Sequence, residues 1–262
     1  MKRILITGSH GYIGSSFQRY LQQFPEEYKA DAVSLRNHQW EECDFSVYDT
    51  IVHAAGLAHI KETAGNAAQY YKINRDLTVA VAEKAKREGV RQFVFLSSMS
   101  VYGVDEGVIT PETPPSPKSH YGKSKLEAEQ ALQRMQSDTF AVAILRPPMV
   151  YGEGCKGNYQ TLVKLSEILP VCPDYHNQRS MISIDNLCAY LQKTIEFQEA
   201  GIFWPKDPHD KCTCQIIREL AHAHGRHLRA TGLLNFVPAI LKHCTRQGRK
   251  AFGDLVYKID GH

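Results

Sequence analysis

The sequence lacks any run of apolar residues long enough to cross a bilayer, which takes roughly 20 residues in a helix. The basic start leads into only a short apolar stretch, Ile4 to Thr7, and no small-residue cleavage site follows it. We therefore expect neither a transmembrane segment nor a signal peptide. With 262 residues, 43% hydrophobic and 23% charged, the chain has ordinary globular composition and enough length for a full core.

Patterned cysteine and histidine motifs are also missing. The cysteines number seven, which is odd, and Cys212-Thr213-Cys214 is not a CxxC pair. No HExxH occurs, and His222, His224 and His227 are spaced for a solvated helix rather than for one metal-binding face. We predict no metal site, and reduced thiols in a cytoplasmic protein.

The sequence also lacks a strong excess of one charge, since it contains 31 Lys and Arg and 28 Asp and Glu, which gives a net charge of +3. The basic residues are spread along the chain, so we expect no nucleic-acid partner. The stretch from Arg226 to Lys250 is locally basic, and within it Leu233 to Leu241 is apolar. That segment either lies on a membrane or packs on the rest of the protein, and packing is the favoured expectation.

Strand-like and helix-like segments alternate in the first half of the sequence. The predicted strands are Ile4 to Thr7, Ala32 to Leu35, Thr50 to Ala55, Phe93 to Ser97 and Phe140 to Leu145. The predicted helices are Tyr12 to Phe24, Asn66 to Glu88 and Tyr121 to Met135. Strands rich in Val, Ile and Phe that alternate with helices predict an α/β fold, a doubly wound parallel sheet of Rossmann type covered on both faces.

The pattern changes near Arg146, where prolines and glycines cluster and the later elements become short. We predict a dinucleotide-binding domain over residues 1–150 and a mainly substrate-binding lobe over 151–262. The chain is expected to return to the first domain near 180–205. The short elements predicted in the second part are a helix at Tyr159 to Ile168, a strand at Met181 to Ile184 and a helix at Asp185 to Phe197.

A glycine-rich turn, Gly8-Ser9-His10-Gly11-Tyr12-Ile13-Gly14, follows the first strand and opens the first helix. Glycine allows positive φ and close approach of the backbone to a phosphate, and the helix N-terminus offers free N–H groups to a pyrophosphate. Three glycines alone are a weak signal, but the strand–turn–helix context makes them typical of dinucleotide binding. We predict that Gly8, His10, Gly11, Tyr12, Ile13 and Gly14 contact the cofactor.

The end of the second strand bears on the choice between NAD and NADP. An acid there binds the ribose 2′-OH of NAD, whereas an arginine accommodates the 2′-phosphate of NADP. Ser34 and Arg36 occupy the positions where the acid is expected. Arg36 therefore favours NADP over NAD, although an Arg36 that only stacks on adenine or faces solvent would leave NAD open, as would an adenine contact from Asp44.

Three side chains suit hydride-transfer chemistry. Ser98 follows the fourth strand, and Tyr121 and Lys125 stand four residues apart, on one face of a helix. A lysine cation beside a tyrosine favours the phenolate and brings its pKa toward neutral pH. We predict Ser98, Tyr121 and Lys125 as the catalytic residues, with Ser98 holding the substrate oxygen.

In these motifs the sequence resembles the extended short-chain dehydrogenase/reductase family, in its nucleotide-sugar epimerase and dehydratase branch. The matching segments are Thr7 to Gly14, His53 to Gly56, Tyr71 to Thr78, Ser97 to Gly103, Tyr121 to Lys125, Leu145 to Gly152 and Arg179 to Leu187. The resemblance implies that Tyr121 is the acid/base and that Lys125 also holds the nicotinamide ribose. It further implies cofactor contacts from Ala54, Ala55, Gly56, Asn74 and Pro148.

The same resemblance implies a nucleotide-sugar substrate, with a uridine diphosphate carrier expected. Arg179 matches an arginine that holds the diphosphate, and Asn158 and Met149 match substrate-contacting positions. Met149 replaces the asparagine of typical galactose-type epimerases, and the preceding Pro-Pro is similar to a subgroup containing 4-keto reductases. Met99 and Ser100 replace the Asp-Glu of dehydratases, so a 4,6-dehydratase is not expected.

Two reactions at sugar C4 stay open at this point. An epimerase would oxidise and re-reduce C4 with a retained NAD, whereas a reductase would use NADPH once and release NADP. A reductase of a non-sugar carbonyl and a non-catalytic NAD(P)-binding sensor on the same fold are also compatible with these motifs. The resemblance further leaves open a homodimer formed through the helices Asn66 to Glu88 and Tyr121 to Met135.

Overall fold

Strands and helices alternate through the computed structural model, which describes residues 1–36, 38–58, 60, 62–155 and 157–259. The strands are β1 Lys2–Thr7, β2 Tyr28–Val33, β3 Thr50–His53, β4 Gln92–Leu96, β5 Gly107–Ile109, β6 Ala141–Leu145, β7 Met149–Tyr151, β8 Val171–Pro173, β9 Met181–Ser183, β10 Gly201–Phe203, β11 Arg229–Thr231 and β12 Leu255–Tyr257. The α-helices are α1 Tyr12–Leu21, α2 Gln39–Glu42, α3 Ala67–Tyr71, α4 Leu77–Arg87, α5 His120–Met135, α6 Asn158–Ile168, α7 Ile184–Glu196, α8 Thr213–Ala223, α9 Phe236–Cys244 and α10 Arg246–Phe252.

Six parallel strands form the central sheet in the order β10-β6-β4-β3-β1-β2. β3 and β4 are buried along their whole length, as expected for inner strands covered by helices on both faces. Thr7 pairs with both His53 and Val33, so the carboxyl ends of β1, β2 and β3 lie side by side. A doubly wound sheet binds its ligand at this carboxyl end of the strands.

Two sequence predictions differ from the observed elements. The second strand runs over Tyr28–Val33, not from Ala32 to Leu35, because it is the edge strand and its alternating Lys29 and Asp31 hide the apolar pattern. The long helix predicted from Asn66 to Glu88 is interrupted by a π-helical segment, Lys72–Asp76. Such a segment inserts an extra residue into the turn and redirects the side chains within it.

The chain divides into two compact units. Unit 1 consists of Met1–Gly103, Pro115–Pro148 and Ser183–Pro205, and it contains the six-stranded sheet. Unit 2 consists of Val104–Pro114, Met149–Ile182 and Lys206–His262. The segment Val104–Pro114 clusters with unit 2 because β5 pairs with β12. That the first part of the chain binds the cofactor and the second part mainly binds the substrate stays a prediction.

Unit 2 is built from short pieces around a core of its own. The sheets β11-β8 and β12-β5 are two-stranded, and α6 packs on α8. The expectation that the Leu233 to Leu241 segment packs against the protein is wrong for its apolar face, which is exposed. Across the described residues no helix is long and apolar enough to span a membrane, and no three His, Cys, Asp or Glu side chains are grouped as metal ligands.

Candidate active site

The glycine-rich turn packs tightly against the loop that follows β3. Gly8 has φ +85°, and a Cβ at this position would lie 2.6 Å from the Ala55 backbone nitrogen. A Cβ at Gly14 would lie 2.6 Å from the Gly8 carbonyl oxygen. The structure therefore brings together the predicted cofactor-lining residues that follow β1 and β3, at the carboxyl end of the sheet, with no room for larger side chains at Gly8 and Gly14.

Helix α1 begins directly after this turn and offers a site for an anion. Its N-cap is Gly11, no side chain caps the first turn, and no acidic residue lies in it. The first backbone N–H groups and the positive end of the helix dipole are thus available to a phosphate. Of the other predicted contacts here, His10 is exposed, while Tyr12 and Ile13 are half-buried.

Gly8→Ala is expected to weaken dinucleotide binding and to destabilise unit 1. Alanine at positive φ costs about 1–2 kcal/mol, and the overlap with the Ala55 backbone adds to that. Thermal unfolding and titration with NADH and NADPH measure the two effects. Gly65→Ala is the matched control, because the nearest atom to a Cβ there is 4.0 Å away. Unchanged cofactor affinity in Gly8→Ala would contradict the role of this turn.

Arg36 lies three residues beyond β2, on the strand end next to the glycine turn. The Gly8 N–H donates to the Val33 carbonyl over 3.4 Å, which ties this strand end to the turn. Arg36 is exposed, and within the described residues its guanidinium has no carboxylate partner. It is therefore available to a phosphate on the adenosine ribose.

The predicted catalytic residues Ser98 and Tyr121 meet at the carboxyl end of β4. Ser98 caps the 3-10 helix Met99–Tyr102, accepting the Ser100 N–H over 3.1 Å. Tyr121 is the second residue of α5, and its phenol lies near the Ser98 hydroxyl. Burial raises the pKa of Tyr121, and the nearby Ser98 hydroxyl opposes part of that rise.

Lys125 lies one turn further along α5 and is buried. Its Nζ donates to the Leu96 carbonyl over 2.7 Å and lies 4.5 Å from the centroid of the Phe95 ring. Burial lowers the pKa of Lys125 to about 7, against a smaller opposing effect of Glu129. The predicted lowering of the Tyr121 pKa by Lys125 is not observed here, because desolvation dominates at both residues.

Gly56 and Asn74 lie next to Lys125, but in different ways. A Cβ at Gly56 would be 3.2 Å from the Lys125 Nζ, so this exposed glycine borders the lysine directly. Asn74 is fully buried; its amide binds both the N–H and the carbonyl of Leu57, and also donates to Ser124. Asn74 thus positions the Gly56 loop against α5, and its predicted contact with the cofactor stays a prediction.

Two further residues, to which the sequence assigned no role, shape this region. His53 is buried between the hydroxyls of Thr7 and Thr78, and burial lowers its pKa to about 3, so it is neutral. Glu62 accepts the backbone N–H groups of His120 and Tyr121, which anchors the start of α5. Both contacts join residues 25 or more positions apart, so no local spacing pattern signals them.

A buried ion pair, also missed, supports the far side of the same helix. Glu129, one turn beyond Lys125, pairs with Arg146 over 2.6 Å, and both side chains are nearly inaccessible to solvent. Ser97 donates to the same carboxylate, and Arg146 donates to the Tyr102 hydroxyl over 2.8 Å. This network joins α5 to the ends of β4 and β6. Pro148, a predicted cofactor contact, is buried two residues after Arg146.

The predicted substrate residues belong to unit 2, apart from Ser98. Met149 begins β7 and is half-buried against the core of that unit. Arg179 donates to the Gly253 carbonyl over 2.9 Å, and burial lowers the pKa of its guanidinium. No carboxylate within the described residues forms an ion pair with it. Asn158 begins α6, and its side chain lies outside the described part of the structure.

Comparison with known proteins decides the family. The family model described as "NAD dependent epimerase/dehydratase family" matches residues 4–170, which include the glycine turn, Ser98, Tyr121 and Lys125. The chain belongs to this family. The match confirms the predicted extended short-chain dehydrogenase resemblance and the prediction of an NAD(P)-dependent enzyme.

Three similar proteins illustrate the relationship. UDP-glucose 4-epimerase of Vibrio cholerae is 32% identical over 248 residues, covering 85% of this chain and 76% of the relative. The structure of dTDP-4-dehydrorhamnose reductase from Bacillus anthracis with NADP has a TM-score of 0.73 at 20% identity, covering 88% of this chain and 83% of that one. UDP-glucuronic acid 4-epimerase from Bacillus cereus with NAD has a TM-score of 0.72 at 21% identity, covering 87% and 85%. The two structures confirm the predicted fold.

Proposed function

We propose that this enzyme transfers hydride at C4 of a nucleotide sugar, as an epimerase or a 4-keto reductase. The observation that carries the proposal is the meeting of Ser98 and Tyr121 one helical turn from buried Lys125. Ser98 would hold the C4 oxygen, and Tyr121 would donate a proton to it or accept one from it. A sensor on this fold would not need this arrangement, which favours an enzyme.

The residues present fit a dinucleotide. The tight Gly8 turn and the uncapped start of α1 suit a pyrophosphate, and Gly56 leaves space beside Lys125. We propose that Ala54, Ala55, Pro148, Tyr12 and Ile13 line the rest of this site. Bound NAD(P) supplies or removes the hydride at the sugar carbon.

The raised pKa of Tyr121 has a direct chemical meaning. A neutral tyrosine carries the proton that a C4 carbonyl needs when it is reduced. In the proposed complex, Ser98 would hold the C4 oxygen close to the Tyr121 hydroxyl oxygen. In the opposite direction the phenolate must form, and a charged Lys125 would favour it. Lys125 changes charge near neutral pH because burial lowers its pKa to about 7.

For the substrate we propose a UDP-sugar. The Vibrio cholerae relative is a UDP-glucose 4-epimerase. Arg179 supports a diphosphate, because it is a partly buried guanidinium bonded to a backbone carbonyl, with donors left over. We propose that Met149 and Asn158 contact the sugar. An apolar Met149 in place of an amide favours a 6-deoxy sugar and therefore the reductase.

The test begins with the purified protein. It is denatured, any released dinucleotide is identified, and the refolded chain is supplied with NAD or NADPH. Interconversion of UDP-glucose and UDP-galactose is then measured, as is NADPH consumption with a UDP-4-keto-6-deoxy sugar. Retained NAD with C4 inversion indicates the epimerase, and NADPH consumption indicates the reductase. If neither reaction exceeds its rate with Tyr121→Phe, C4 chemistry is wrong for this protein.

Arg36 carries the proposed preference for NADP. We expect Arg36→Ser to lower NADPH affinity at least about tenfold, the loss of one charge-assisted phosphate contact, and to change NADH affinity little. Arg87→Ser, at another exposed arginine of unit 1, is the matched control. Fluorescence titration measures both affinities. An equal loss for NADH and NADPH, or no loss, would show that Arg36 does not select the cofactor.

The cysteines bear on the cellular location of the protein. All seven are free thiols, which supports a cytoplasmic location.

A homodimer through α4 and α5 stays a prediction. The groove between these helices is lined by charged residues and by Val79, Ala80 and Ala131, and Arg75 and Glu127 within it pair at 2.7 Å. Analytical ultracentrifugation measures the oligomeric state.

A further inference from the structure

A long acid-free stretch lies in unit 2. From Leu220 to Gly253 the sequence contains no aspartate or glutamate, although these residues number 28 in the whole chain. The Lys and Arg residues in this stretch are Arg226, Arg229, Lys242, Arg246, Arg249 and Lys250. A solvated surface normally mixes both signs, so this stretch forms a local source of positive potential.

The same stretch presents an apolar stripe to solvent. We call it the α9 stripe: Leu233, Phe236, Val237, Ile240 and Leu241. Leu233 lies in the 3-10 turn Gly232–Leu234 that precedes α9, and the other four residues follow the spacing of one face of α9. Leu233 is 86% exposed, Phe236 59% and Ile240 54%. Single exposed apolar residues are normal, but five within nine consecutive positions mark an interaction surface.

The stripe is held in place from its other side. Pro238, a residue of α9, is buried on the opposite side of the helix, and the Asn235 side chain donates to the Asp174 carbonyl over 3.0 Å. A Cβ at Gly248 would lie 1.9 Å from the Leu241 carbonyl oxygen, so α10 packs closely on the end of α9. The apolar side chains are therefore displayed on a fixed helix and do not need to be ordered on binding.

Part of the positive charge is left without an acidic partner. Lys242 pairs with Glu106 at 3.4 Å, and Arg246 and Lys250 both lie near Asp105. Within the described residues, Arg226, Arg229 and Arg249 have no carboxylate within ion-pair distance. Arg226 instead donates to two backbone carbonyls, so its charge remains uncompensated.

We propose that the α9 stripe docks on the surface of an anionic lipid bilayer. Apolar side chains on one face of a helix, with Lys and Arg around them, insert into the headgroup boundary and attract anionic lipids. A second copy of this chain fits less well, because a two-fold contact would bring two acid-free stretches together. Docking on a bilayer through this stripe is independent of the proposed reaction.

Vesicle sedimentation tests the proposal with the full chain. Vesicles of phosphatidylglycerol and phosphatidylethanolamine are compared with vesicles of phosphatidylcholine, at about 0.05 M and about 0.5 M salt. We expect binding to the anionic vesicles at low salt and at least about tenfold weaker binding at high salt or to phosphatidylcholine. Leu233→Ser/Phe236→Ser/Ile240→Ser should lose most of the binding.

A matched control separates the stripe from general surface hydrophobicity. Ile168→Ser removes another apolar side chain of unit 2, one that is 70% exposed and lies outside the stripe, and binding should persist. Circular dichroism checks that both variants are folded. Absence of binding to anionic vesicles at low salt overturns the proposal, as does equal loss in Ile168→Ser. A self-association that the triple variant abolishes, without vesicle binding by the unmodified chain, assigns the stripe to a second copy and also overturns it.

Discussion

Replacement of Tyr121 by phenylalanine lowers kcat by about 10²–10⁴-fold, the usual contribution of a positioned proton donor or acceptor. The variant keeps the ring that contacts Tyr70 and loses only the hydroxyl that meets Ser98. Affinity for the dinucleotide should change little, because the glycine turn and α1 are untouched. Steady-state kinetics with the UDP-sugar that proves reactive in the assay described under Proposed function, together with cofactor titration, measure the two effects.

The control for this variant is Tyr48→Phe. It also removes a phenolic hydroxyl from unit 1, one that donates to Asp31 and lies on a different part of the sheet. Its kcat should match that of the unmodified chain. Full activity in Tyr121→Phe would refute the proposed proton transfer. A fall in cofactor affinity as large as the fall in kcat would assign Tyr121 to binding instead.

Arg146→Met destabilises the protein by about 3–5 kcal/mol, because it leaves the buried Glu129 carboxylate without its cation. Urea unfolding at neutral pH measures the free energy of unfolding of the variant and of the unmodified chain.

The double variant Glu129→Met/Arg146→Met provides the control. Replacement of a buried ion pair by apolar side chains of similar volume is often neutral, so the double variant should recover most of the lost stability. Ser97 and Tyr102 each lose a partner, which limits the recovery. A loss below about 1 kcal/mol in Arg146→Met would contradict the assignment of a dry ion pair.

Prediction from sequence worked best where chemistry depends on near neighbours in the chain. The glycine turn and the Tyr121–Lys125 pair are both identifiable from spacings of a few residues. The predicted start of α5, Tyr121, lies within one residue of the observed start at His120. The edge strand β2 was misplaced because a half-exposed strand carries a weak apolar pattern.

Contacts between distant segments were not predictable in this way. Asn74 binds the Leu57 backbone, 17 residues away, from inside the protein. Glu62 anchors α5 from 58 residues away, and Arg146 reaches Glu129 across 17. None of these pairs has a fixed spacing, because the intervening chain can have any length.

The exposed apolar face of α9 was also not predictable from local spacing. Its apolar spacing is visible in the sequence, and burial is the natural expectation for it. Whether such a face is buried depends on whether another element covers it, and in the described part of the structure none covers Leu233, Phe236 or Ile240.

The sequence by itself determined the doubly wound fold, the place of the glycine-rich turn between β1 and α1, and the shared helical face of Tyr121 and Lys125, because these follow from strand–helix alternation and from spacings of a few residues. Only the tertiary structure decided that Asn74 positions a loop, that Glu129 and Arg146 form a dry ion pair beneath α5, and that the α9 stripe faces solvent. The physical reason is that burial and long-range pairing depend on which segments the fold brings together, and local spacing does not encode that.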